Sequence, residues 1–176
     1  MATQTKENYL KALYHLHKNN PKISITDLGN ELEVSKPTAN DMVKKLQTAG
    51  WVKYTKYKPL ELTEKGRKAA ALIIRKHRLS EMFLSDIMGF GWEEVHDVAE
   101  QIEHIKSDAF FERMDELLGY PSKDPHGSPI PDKEGNVATS DYVLLASLQP
   151  GERGEVKALR STSKDFLEYL NKYEIA

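Results

Sequence analysis

The 176-residue chain contains no cysteine. That excludes a disulfide framework, a thiolate zinc site and a cysteine nucleophile, and it suits a reducing compartment. Long apolar runs are missing as well: nothing approaches the ~20 residues of a membrane span. The opening Met1-Ala2-Thr3-Gln4-Thr5-Lys6 carries no apolar region of the signal-peptide type. The expected location is cytoplasmic, with no membrane partner. Low-complexity tracts and repeats of solenoid period are absent too. Net charge is nearly missing, at −2 from 25 Lys+Arg and 27 Asp+Glu, but this balance hides a split. Residues 1–76 hold 15 basic and 7 acidic side chains, residues 77–140 hold 5 and 14, and residues 141–176 hold 5 and 6. A basic first part joined to an acidic middle implies two jobs, and the basic part is the candidate for a polyanion.

What the chain does have is helical periodicity. Tyr9, Leu10, Leu13, Tyr14 and Leu16 predict an amphipathic helix over roughly 5–18, ended by Asn19-Asn20-Pro21. Ser24 and Asp27 frame a capping box for a short second helix faced by Ile25, Leu28 and Leu32. Ser35 is the expected N-cap of a third helix. Pro37 is tolerated in its first turn because those N–H groups lack partners anyway. Ala39, Met42, Val43 and Leu46 face inward. After Gly50, residues 51–54 and 60–62 predict two short strands around Thr55-Lys56-Tyr57-Lys58-Pro59. Thr63 is the expected cap of a long helix reaching Met88, stopped by Gly89-Phe90-Gly91. Residues 92–118 carry a further helical stretch with a break near 107. Pro121, Pro125, Gly127, Pro129, Pro131 and Gly135 mark 119–140 as a linker. Apolar arms at 143–145 and 156–159 around Pro150-Gly151 predict a β-hairpin, and a helix over 164–173 follows.

The expected fold is therefore mainly α. It comprises a winged helix-turn-helix over 1–63, a helical domain over 64–120, a linker over 121–140 and a short α+β region over 141–176. A helix about 10–12 Å across fits a major groove about 12 Å wide, leading with its N-terminal residues. Here that end offers Ser35, Lys36, Pro37, Thr38, Asn40 and Asp41, with Thr26 on the preceding helix. Lys44 and Lys45, with Lys53, Lys56 and Lys58 of the wing, are placed to meet phosphates. The bland alternative is a solvated basic face on a protein–protein module. Topology and charge together favour double-stranded DNA.

In the acidic middle, Glu100, Glu103 and His104 stand at i, i+3 and i+4 on one expected helix face, with His96 one turn earlier. His77 and Glu81 are also i, i+4. Oxygen and nitrogen donors without sulfur suit Mn²⁺ or Fe²⁺, while Zn²⁺ or Co²⁺ can still bind. Spacing alone leaves a solvated acidic face as the commoner explanation, and His15 and His17 read as structural or solvated. Two rival functions remain: a winged-helix regulator sensing an organic ligand without metal, and a di-iron carboxylate enzyme. The enzyme would need two Glu-x-x-His segments, and this chain supplies one, Glu93-x-x-His96.

The run Arg75-Lys-His77-Arg78-Leu-Ser-Glu81, then Glu94-Val-His96-Asp97, then Glu100-Gln-Ile-Glu103-His104-Ile-Lys-Ser107-Asp108, resembles the DtxR/MntR family of metal-dependent transcriptional repressors. Ser35-Lys-Pro37-Thr38 and Pro125-His126-Gly127-Ser-Pro129-Ile-Pro131 resemble it too, and the match runs in order from residue 5 to about 135. The resemblance implies a repressor, not an enzyme, acting as a homodimer on palindromic DNA. It implies a primary metal site at Asn8, Glu100, Glu103 and His104, and a second set at His77, Glu81 and His96. Linker ligands at Asp124 and His126 are implied in addition. Glutamate at position 100, where iron-type members carry cysteine, tilts the expected metal to Mn²⁺. Asn8 departs from the acid of the manganese type, and Lys11 stands where some members carry another acid. The tail resembles the start of an SH3-like (FeoA-like) third domain, with Asp165 a weak ligand candidate. The expected dimer face lies in 92–118, at Val95, Val98, Ile102, Phe110, Phe111 and Met114.

Overall fold

A computed structural model describes residues 3–20, 22–56, 58–139 and 141–175; Pro21 and Tyr57, expected in turns, lie outside them. The chain forms two compact units, residues 1–75 with 131–136 and residues 76–130 with 137–176.

In the first unit, α1 (Gln4–Asn19), α2 (Ile25–Glu31) and α3 (Lys36–Thr48) precede β1 (Val52–Lys53) and β2 (Glu61–Leu62). The capping box forms as expected: Ser24 N donates to Asp27 Oδ2 at 2.8 Å and Asp27 N to Ser24 Oγ at 3.1 Å. Ser35 caps α3 by accepting from Thr38 N at 3.3 Å. Gly29 makes the turn between α2 and α3 tight, since a Cβ there would lie 3.0 Å from the Val34 carbonyl. The wing strands pair antiparallel, Val52 with Leu62, and Leu60 bridges back to Ile23 just ahead of α2. Leu10, Leu13, Leu28, Val43, Leu46 and Leu60 fill the core. Burying such side chains contributes roughly 1.5–3 kcal/mol each and fixes the exposed faces of α3 and the wing.

The division between units falls inside α4 (Glu64–Met82), capped by Thr63 Oγ1 through Gly66 N at 3.0 Å. The α-helix does not reach Met88 as the periodicity predicts. Residues Phe83–Ile87 form a π-helical turn, with Met88 N donating to Phe83 O at 3.2 Å, and Gly89 (φ 73°) ends it. In the second unit, α5 (Val95–Ile102) and α6 (Asp108–Leu117) are separated where the sequence predicts a break, and Ser107 caps α6. Because α5 stops at Ile102, Glu103 and His104 occupy its closing turn rather than a continuing helical face.

Three further expectations are corrected. The stretch 121–130 is a packed strap: Ile130 N bonds Ser122 O at 2.9 Å, and Ile130 is buried with Leu79, Phe111 and Met114. The hairpin over 143–159 is absent among the described residues. Its second arm turns to the strap instead, where Leu159 N donates to His126 O at 3.0 Å, while the first arm holds a short 3₁₀ turn at Leu145–Ser147. A lone two-stranded hairpin is marginal in water, so a competing backbone partner suffices to prevent it. Of the six residues expected on the dimer face, Val95, Phe111 and Met114 are core. Val98 and Ile102 pack partly buried against the core clusters, and only Phe110 is exposed. The last helix, α7 (Lys164–Lys172), buries Leu167 and Leu170.

Candidate metal centre and nucleic-acid interface

The end of α4 places His77 and Glu81 one turn apart on its buried face, with His77 Nε2 3.0 Å from Glu81 Oε1. The other ring nitrogen, Nδ1, lies 2.6 Å from Glu103 Oε2 and 3.9 Å from Glu100 Oε1. His96 on α5 stands 3.5 Å from Glu81 Oε1 and 3.7 Å from Glu100 Oε1. From the strap, His126 Nδ1 approaches Glu81 Oε2 at 3.8 Å and Asp124 Oδ1 at 3.9 Å. His104 Nε2 is 3.6 Å from Glu103 Oε1. Three overlapping triads result: His77–Glu81–His96, His77–Glu100–Glu103 and Glu81–Asp124–His126, each with its donor atoms within 4.8 Å of one another. Seven of the nine expected ligands thus form one connected cluster, and His104 adjoins it through Glu103.

Glu103 is 1% exposed and Glu81 is 3% exposed, a placement that strongly disfavours an unpaired carboxylate. Burial pushes Glu81 up. Hydrogen bonds from His77 and His96, with the charges of His77 and His126, outweigh it and hold the carboxyl well below the ordinary range. Asp124 goes the other way: burial and the Glu81 charge push it up against the pull of Arg78, whose Nε lies 3.2 Å away. Asp124 also shapes the strap, its Oδ1 accepting from His126 N and Ser128 N at 2.9 Å each.

The His126 ring is oriented by its partners: Nε2 lies 2.9 Å from the Trp92 carbonyl, which can only accept, so Nε2 carries a proton and Nδ1 is the ring nitrogen that faces Glu81 and Asp124. The Trp92 ring stacks on His126 and donates Nε1–H to Asn171 Oδ1 at 2.8 Å. Sequence reasoning missed Trp92 and Asn171, because a backbone carbonyl and a contact spanning 79 residues leave no local pattern. Asn171 also donates to Glu93 Oε2 at 3.1 Å, so Glu93 of the Glu-x-x-His segment is bonded to α7 and joins none of the triads. Asp165, exposed in the first turn of α7, joins none either. In the first unit, Asn8 carries a buried Oδ1 with no hydrogen-bond partner among the described residues, and Lys11 is buried.

The recognition face lies on that first unit. Ser35, Lys36, Pro37, Thr38, Asp41, Lys44 and Lys45 are exposed and Asn40 is half-buried. Ser35 Oγ is shared with Thr38 Oγ1 at 2.8 Å, and Asp41 sits 3.6 Å from Lys44. Thr26, Lys36, Pro37, Asn40, Lys56 and Lys58 line one groove of about 650 Å³ between the helices and the wing.

Comparison with known proteins fits both regions. Residues 1–60 match the iron dependent repressor N-terminal DNA binding domain, and residues 63–132 match its metal binding and dimerisation domain. The iron-dependent repressor IdeR of Mycobacterium leprae is 37% identical over 154 residues, covering 84% of this chain and 67% of that protein. The diphtheria toxin repressor of Corynebacterium diphtheriae is 36% identical over 150 residues, covering 85% and 64%. The chain thus spans about two thirds of the length of these relatives. A solved manganese-dependent transcriptional repressor in complex with manganese superposes with a TM-score of 0.88 at 35% identity, over 97% of this chain and 79% of that one. The fold and the two matched regions define a winged-helix regulator with a metal-binding and dimerisation domain. The chain belongs to the iron- and manganese-dependent repressor family, the DtxR/MntR group that its motifs resemble. Among the described residues, no helix is long and apolar enough to cross a membrane.

Proposed function

We propose that the chain is a cytoplasmic Mn²⁺-activated repressor that binds a palindromic operator as a homodimer, with Fe²⁺ the next cation it accepts. The observation that carries this is the connected cluster of carboxylates and imidazoles around His77 and Glu81. Its donors are oxygen and nitrogen without sulfur, the set that hard and borderline divalent ions favour. A bound divalent cation would add concentrated positive charge among the gathered carboxylates.

The protein's own residues do the rest. Glu81, Glu103 and Asp124 present oxygens, His77, His96 and His126 present nitrogens, and the Trp92 carbonyl keeps His126 Nδ1 directed inward. Arg78 holds the strap through Asp124 and the Pro129 carbonyl. Exposed Phe110 and Leu117, two turns apart on α6, are the proposed dimer contacts. A two-fold dimer places two recognition helices on half-sites one helical turn apart. A cation that binds the DNA-competent form more tightly raises DNA affinity, and DNA raises cation affinity by the same factor.

The test is calorimetry on chelator-treated protein with Mn²⁺, Fe²⁺ and Zn²⁺, followed by fluorescence anisotropy with a mixed-sequence duplex at low salt, with and without Mn²⁺. Expected are Mn²⁺ binding and tighter DNA binding in its presence. Heat signals indistinguishable from buffer for all three ions, or DNA affinity indifferent to Mn²⁺, would sink the reading.

A further inference from the structure

The geometry points to Tyr54 as the residue that positions Asn40 for base discrimination. This rests on the DNA-binding reading above and goes beyond it. Asn40 lies on the exposed side of α3, one turn behind the N-terminal residues, and lines the groove with Pro37 and Lys36. Its amide is not free to rotate: the Tyr54 hydroxyl donates to Asn40 Oδ1 at 3.2 Å. Tyr54 is itself fixed. It follows β1 directly, its carbonyl accepts from Gln47 Nε2 at 2.9 Å, and its half-buried ring packs against the core of the unit. The wing therefore grips α3 at two points, and one of them is a side chain that would face DNA.

The consequence is chemical. An unanchored asparagine amide can offer either its oxygen or its NH₂, and so can pair with several base edges. With one lone pair of Oδ1 engaged by Tyr54, the amide is held in one orientation, and its NH₂ is the group with no role in that bond and left to meet a base. A fixed donor selects an acceptor on the base edge, such as guanine N7 or O6 or thymine O4, and disfavours the exocyclic NH₂ of cytosine. Holding the donor in place also lowers the entropy lost on contact. Tyr54 need not touch DNA to act in this way, so it is a positioning residue.

A double-mutant cycle separates this role from simple packing. Wild type, Tyr54→Phe, Asn40→Ala and the double variant are each used, with Mn²⁺ present, to select from duplexes randomised over roughly 24 base pairs, enough for two half-sites one turn apart. Phenylalanine keeps the ring in its packing and removes only the hydroxyl, so the variant folds; thermal melting checks this. Expected is loss of preference at the same one or two positions per half-site in both single variants, on the order of fivefold at each position. The remaining positions and the salt dependence of binding stay unchanged. The double variant loses no more than Asn40→Ala alone, because the hydroxyl acts only through the amide. A Tyr54→Phe consensus identical to wild type overturns the inference, as do losses that add in the double variant or spread evenly over the site. Failure of wild type to enrich any sequence would instead overturn the DNA-binding reading itself.

Discussion

Glu103 is a carboxylate with 1% exposure, 2.6 Å from an imidazole nitrogen, in a segment already crowded with negative charge. Burying a carboxylate strongly destabilises a fold unless it is partnered, and a carboxylate held in such a place is set up to serve as a cation's ligand. Glu103→Gln keeps the shape and removes the charge. It should weaken Mn²⁺ binding at least tenfold by calorimetry, while the metal-free protein keeps its circular dichroism spectrum and melts within a few degrees of wild type. Unaltered Mn²⁺ affinity would remove Glu103 from the ligand set. A second carboxylate, Asp27, sits in a purely structural role. The Ser24 backbone N–H, then the Ser24 hydroxyl, holds its carboxyl below the ordinary 3.8. A depressed folded value means that its stabilisation is present above 3.8 and disappears as pH falls through the lowered value. Asp27→Asn should therefore cost a few tenths of a kcal/mol near neutrality, because the group is exposed and screened. The difference in melting temperature between variant and wild type should close as pH falls through that lowered value. A gap that widens on acidification would reverse the assigned sign. At this scale the sequence made the His77–Glu81 pairing legible, because i, i+4 spacing on a helix is a local geometric fact. It could not show that His77 meets Glu103, since that pairing spans 26 residues and depends on how α4 and α5 pack.

Elements were legible where their ends are coded locally. Ser24, Ser35, Thr63 and Ser107 each cap a helix through a side-chain oxygen, and such residues announce a helix start in any sequence. The π-helical turn at Phe83–Ile87 was not legible, because one extra residue in a turn leaves the apolar period almost unchanged. The strap misled for the opposite reason. Its prolines and glycines look like a loose linker, yet they let backbone approach backbone closely. Gly127 has φ 81°, and a Cβ there would lie 2.1 Å from the Lys157 carbonyl and 2.7 Å from Ala158 Cα. Gly127→Ala meets both a left-handed backbone and a collision with main chain that cannot rotate away. It should cost more than about 1 kcal/mol in thermal or urea unfolding. The flanking Asp124 and His126 should move with the strap, so Mn²⁺ affinity should fall as well. A variant with wild-type stability and wild-type Mn²⁺ binding would show that 157–158 does not hold the strap in place.

Over the whole chain, the charge split seen at the outset now coincides with two kinds of surface. Lys22, Lys36, Lys56 and Lys58 line the groove between the helices and the wing, and Glu81, Glu100, Glu103 and Asp124 gather with His77, His96 and His126. The two should therefore respond oppositely to ions. Exposed lysines release counterions from DNA on binding, so log affinity should fall linearly with log salt. Replacing Lys44 and Lys45 together by alanine should make that slope shallower by roughly two per subunit, about four for the dimer, without changing which sequence is preferred. The acidic cluster is repelled by itself, and divalent ions relieve it far better than monovalent salt at the same ionic strength. Mn²⁺ at about one hundred times its dissociation constant should raise unfolding stability by about 2.7 kcal/mol if it binds only the folded state. An equal ionic strength of NaCl should do much less. The contrast should shrink in Glu103→Gln, to about 1.4 kcal/mol or less at the same Mn²⁺ concentration if affinity falls tenfold or more. Equal stabilisation by both salts, or Mn²⁺ stabilisation undiminished in the variant, would mean that the acidic middle of the chain is a screened surface rather than a cation site.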